Sequence, residues 1–159
     1  MKTLLLLPLL LVTFLSFGQT NAISWLSTSG GQYMDIGRPL SLYNGDDASF
    51  SIWFRTWDSI GTRHFITNDT QPTDPEFNFG ITDGYVFVNG GPISFNGPFV
   101  ISSSTYSDAL WHHAVGIKSG SNCVELYVDN NFIGSDCDGT GAMDTGDAFY
   151  VGDNFIGTL

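Results

Sequence analysis

The chain has 159 residues and a formal charge of −11, with five lysines and arginines against sixteen carboxylates. A surface this acidic offers no basic stripe to neutralise phosphates, which argues against nucleic acid as a partner. It suits calcium or solubility outside a cell, and the length suffices for one domain with a real core.

The opening MKTLLLLPLLLVTFLSFGQTNA sets one lysine before an apolar run from Leu4 to Phe17, then small and polar residues. This is the pattern of a secretory signal peptide over residues 1–22, cleaved after Gly18 or Ala22. The run falls short of the roughly 20 residues a membrane span needs, and no later segment approaches that length. The remainder, 23–159, reads as a single domain.

From residue 33 onward, short β-rich runs recur between Gly, Asn, Asp, Pro and Ser clusters, and no segment sustains a helical period. Strands are predicted at 33–36, 48–55, 63–67, 76–81, 84–88, 98–103, 111–118, 123–128, 132–136 and 148–152. Such a chain folds as an all-β protein, a sandwich of two antiparallel sheets. In 48–55, Phe50, Ile52 and Phe54 share one face and Ser49, Ser51 and Trp53 the other.

The stretch LWHHAVGIK sets two histidines side by side. In a strand their rings diverge, and the spacing is neither His-x-His nor the four-residue step of a helical zinc site, so they read as structural. Trp111, His113 and Val115 are assigned to the core, together with Leu126 and Val128 of the following strand. His112, Ala114, Gly116 and Lys118 fall on the opposite face. Two β-rich halves then meet at Asp129-Asn130-Asn131, a turn sequence. Cys123 and Cys137 are equidistant from Asn130, so a hairpin sets them opposite each other, and secretion favours a disulfide between them.

The irregular stretches 68–76 and 138–147 are placed on the rim of the sandwich, where such folds carry function. Read as a calcium loop, DCDGTGAMDTGD sets Asp136, Asp138, Thr140, Asp144 and Asp147 at ligand positions around Gly141. Against that, the last position is Asp rather than Glu and the flanks are strands. Trp25, Trp57 and Tyr106 stand at strand ends or in loops as candidate ligand platforms. Catalysis is not expected: the two glutamates, Glu76 and Glu125, are far apart, no Gly-x-Ser-x-Gly elbow occurs, and neither cysteine has an activating neighbourhood.

In order, GQYMDIG, FSIWFRT, WHHAVGI, VELYVDNNFIGS and AFYVGDNFIGTL resemble the laminin-G-like jelly roll of the concanavalin A-like lectin and glucanase superfamily, which includes the pentraxins. The resemblance implies a sandwich that binds glycans or proteins, often with calcium at the rim, and it implies that the tryptophan and histidine pair lie in a core strand. By likeness to the pentraxin branch, Asp58, Asp153 and Asn154 become alternative calcium ligands. Family members continue beyond the motif resembling FIGTL into another strand, whereas this chain stops at Leu159, so its final strand is expected to be missing. The resulting expectation is a secreted, non-catalytic recognition module for a glycan or an extracellular protein, part of a larger adhesion-type protein, with calcium as the candidate cofactor. The alternative is an accessory carbohydrate-binding module of a polysaccharide-degrading enzyme.

Overall fold

A computed structural model describes residues 33–37, 47–68, 77–90, 97–120, 122–137 and 149–152. They form ten strands: β1 (Tyr33–Gly37), β2 (Ala48–Phe54), β3 (Thr62–Thr67), β4 (Phe77–Thr82), β5 (Tyr85–Gly90), β6 (Phe99–Thr105), β7 (His112–Ser119), β8 (Cys123–Val128), β9 (Asn131–Asp136) and β10 (Phe149–Gly152). All pair antiparallel, in a six-stranded sheet of order β1-β10-β3-β4-β5-β6 and a four-stranded sheet of order β2-β7-β8-β9. The all-β sandwich read from the sequence is therefore the fold.

Two tight hairpins set the registers. Asp83 and Gly84 join β4 to β5, and Asp129 and Asn130 join β8 to β9, all four at positive φ. Mirror-image turns of this kind match the twist of the strands they connect. The core between the sheets is dominated by rings: Phe77, Phe79 and Phe149 from the larger sheet meet Phe50 and Phe54 from the smaller, with Leu126, Val124 and Val128 beside them.

Those rings decide which face of β7 points inward, and the face is the opposite of the one assigned from the sequence. His112, Ala114, Gly116 and Lys118 are buried, while His113 and Val115 are only partly covered and Trp111 precedes the strand, half exposed. The physical reason is volume. A Cβ added at Gly116 would already lie 3.0 Å from the Phe79 ring, so the small residues of β7 leave the space that the phenylalanines fill. Lys118 is tolerated there because its Nζ donates to the Gly120 carbonyl at 2.7 Å. Of the five residues assigned to the core, Leu126 and Val128 are fully buried.

Cys123 and Cys137 are joined by a disulfide. It sits one step beyond the Val124↔Asp136 pair at the open end of the β8–β9 hairpin. The hairpin hydrogen bonds already close this short loop. Replacing both cysteines by alanine is therefore expected to cost clearly less than the roughly 3 kcal/mol of a comparable unassisted loop. Urea unfolding of the two forms measures the difference.

Candidate functional site: an aromatic rim on two tied loops

Phe54 at the end of β2 pairs with His112 at the start of β7, which brings the loop after β2 and the loop before β7 to one end of the sandwich. Ala109 N–H donates to the Thr56 carbonyl at 2.9 Å and ties them together. Between them they present Trp57 (76 % exposed), Ile60, Leu110 and Trp111 (52 % exposed) to solvent. Single exposed apolar residues are ordinary, but several on two tied loops mark an interaction surface. Ala109 holds φ at 64°, a strained conformation for a residue with a Cβ and one that concentrates at functional loops.

Charge at this rim is organised by specific contacts. The Arg55 guanidinium lies 5.5 Å from the centre of the Trp111 ring, a favourable cation–π distance. Asp58 holds its own loop: Oδ1 accepts from Ile60 N–H at 3.1 Å, and Oδ2 pairs with Arg63 at 3.2 Å. Both of its oxygens are engaged. At the other end of the sheet, where Asp136 pairs with Val124 and Val124 with Lys118, Asp136 accepts from Phe99 N–H at 2.9 Å and links β9 to β6.

Beneath the rim, His112 is gripped from both sides. Its Nδ1 lies 2.8 Å from Asp129 Oδ2 and its Nε2 2.9 Å from Asp108 Oδ1. An ionised carboxylate only accepts, so both contacts are hydrogen bonds only when the ring carries both protons. Burial of the ring opposes that charge, but the hydrogen bonds to Asp129 and Asp108 outweigh it and hold His112 above the usual histidine range. Asp108 is held below the usual carboxylate range by His112 and by Leu110 N–H. For Asp129, partial burial acts upward, and bonds from His113 N–H and His112 overcome it to bring the group down. Tyr106 meets the His112 ring edge to face at 5.0 Å.

Trp57 stands on the rim, whereas Tyr106 is part-buried against His112 and packs rather than presents a platform. Trp25, Asp138, Thr140, Asp144, Asp147, Asp153 and Asn154 lie outside the described residues. Among the described residues, no three His, Cys, Asp or Glu side chains are grouped to hold a metal ion, and there is no helix long and apolar enough to cross a membrane. Sequence reasoning missed Leu110, Ile60 and the grip on His112. Asp108 stands four residues before His112 in an irregular loop, and Asp129 arrives only through the β7–β8 register, so no local spacing announces them.

Two antiparallel sheets packed face to face around a core of rings form the sandwich of a jelly-roll domain. A family profile described as the concanavalin A-like lectin/glucanases superfamily, of laminin G type, matches residues 28–158, and the chain belongs to that family. Among solved structures, domains LG4-5 of the mouse laminin alpha1 chain are similar at 20% identity and TM-score 0.58, over 77% of this chain and 32% of that one. The LG1-3 region of the laminin alpha2 chain is similar at 16% identity and TM-score 0.55, over 80% and 25%. A sialidase module from Ruminococcus gnavus, a CBM40 bound to alpha2,3 sialyllactose, matches at 11% identity and TM-score 0.52, over 77% of each chain. The chain thus spans about a third of the laminin alpha1 fragment. No curated protein matches it.

Proposed function

We propose that this chain is a secreted recognition module that binds a glycan through the rim carrying Trp57 and Trp111, as part of a larger extracellular protein. The observation that carries the reading is the exposure of two indoles on loops fixed to each other and to the core, with Arg55 stacked on one of them. Indole faces are negative and edges positive, so they accept the C–H face of a pyranose, while the guanidinium supplies directed donors. The disulfide and the membership of a lectin superfamily support an extracellular setting.

Binding of the chain to an arrayed glycan panel tests this. Trp57→Ala and Trp111→Ala are each expected to weaken a saturable signal about tenfold, the size of an interface hot spot, without changing the melting temperature, because both rings are exposed. Undiminished binding by the double variant would remove the rim from the account. Calcium enters the proposal through the resemblance alone, and repeating the array in EDTA shows whether recognition needs it.

A further inference from the structure

The outer face of the four-stranded sheet, away from the core, carries a second set of rings. Cross-strand registers place Trp53 beside His113, then Ser51, Val115, Tyr127 and Phe132 in one row, then Ile117 beside Glu125 and Ser135 in the next. Trp53 is 64 % exposed and Phe132 57 %. Each leans on a partner ring: Trp53 lies 4.9 Å from His113, and Phe132 5.2 Å from Tyr127. The partners are themselves fixed. His113 Nε2 is 2.8 Å from Ser51 Oγ, and Tyr127 donates to Glu125 Oε2 at 3.1 Å. The result is a floor of orientated rings with hydroxyl and carboxylate oxygens among them.

We propose that this face is a second binding site, for a neutral oligosaccharide lying across the strands from Trp53 to Phe132. Three observations select that occupant. In a chain of charge −11, Glu125 is the one charged side chain in these rows, and it is hydrogen-bonded to Tyr127. Such a face offers neither the cations that hold an acidic polymer nor the open carboxylates that hold a basic one. Its area is small: four strands about 4.8 Å apart, over about five residues, give roughly 200 Å², far below the roughly 800 Å² per partner of a stable protein interface. A second copy of this chain is therefore a poor fit, and a narrow extended ligand a good one. The exposed rings also stand on the two outer strands of the sheet with partly covered residues between them, so contacts are spread along a chain-like ligand. The proposal rests on the domain being a recognition module but not on the rim loop of Trp57, which takes no part in it.

The full chain is titrated by calorimetry with neutral hexasaccharides of β-1,4-linked glucose, xylose, mannose and N-acetylglucosamine, and with an acidic control, oligogalacturonate. At least one neutral probe is expected to bind, with an affinity unaffected by salt. Trp53→Ala and Phe132→Ala are each expected to lower it several-fold to tenfold, and Ile101→Ala, at an exposed position of β6 in the other sheet, to leave it unchanged. Both altered rings are largely exposed, and unchanged melting temperatures verify the fold. Binding of no neutral probe, preference for the acidic control, or full binding by the Trp53→Ala/Phe132→Ala double variant overturns the proposal. Loss of neutral-sugar binding in Trp57→Ala alone also overturns it, and assigns that sugar to the rim. Sedimentation showing a dimer that Phe132→Ala dissolves overturns it in favour of a second copy.

Discussion

His112→Ala is expected to destabilise the fold by about 3 kcal/mol, because it removes a buried ring together with its charge-assisted hydrogen bonds. The ring packs against Phe54 and Tyr106 and lies between Asp108 and Asp129, within hydrogen-bond distance of both. Without it the two carboxylates lose the group that draws the loop before β7 toward the β8–β9 turn. The same geometry fixes a pH dependence. His112 is raised in the folded state, so its contribution is complete below the unfolded histidine pKa of about 6.5 and is lost as pH rises through the folded value. Asp108 and Asp129 are lowered, so theirs is present above about pH 4 and is lost as pH falls. The grip is therefore strongest between about pH 4 and 6.5. Melting temperatures from pH 4 to 9 should decline on the alkaline side in the parent chain, and that decline should flatten in His112→Ala. Because Trp111 adjoins His112, glycan binding at the rim should weaken over the same alkaline range.

Gly80→Ala is expected to cost a further 3 kcal/mol or so, by a different route. Gly80 of β4 pairs with His64 of β3, where the register shifts between His64 and Ile66. Beside this bulge the Arg63 carbonyl lies against Gly80: a Cβ there would collide with that oxygen and lie 3.0 Å from His64 Cα. Both obstacles are backbone, so no rotamer change relieves them and the two central strands have to separate. Denaturant midpoints at constant slope measure the loss. Gly116→Ala is the informative comparison, because the obstacle there is a side chain, the Phe79 ring at 3.0 Å, and its cost should be smaller.

The ten strands were legible because turn-forming clusters punctuate the chain and β-branched and aromatic residues fill the gaps between them. The predicted boundaries fall within two residues of those observed. The disulfide was legible for the same reason, since a short hairpin centred on Asn130 leaves its cysteines no other geometry. The inward face of β7 was misread because alternation gives two faces without saying which is filled. Trp111, Val115 and Ile117 are the larger residues, yet the facing sheet already supplies Phe77 and Phe79, and the core selects Ala114 and Gly116 to accommodate them. The rim was half legible: Trp57 stands out in a loop, but its neighbours Leu110 and Trp111 join it only through the pairing of β2 with β7. A histidine gripped by carboxylates from a loop and from a turn across the sheet is a product of register, which no single segment encodes.

The most direct test of recognition at the rim follows the indole N–H signals of the 15N-labelled chain by NMR while a glycan that binds in the array is added. The sequence has four tryptophans, so each signal is assigned by substitution. Saturable shifts of the Trp57 and Trp111 signals are expected, with Trp53 unaffected by a ligand that occupies the rim alone. Saturable binding that leaves the Trp57 and Trp111 signals in place would contradict it.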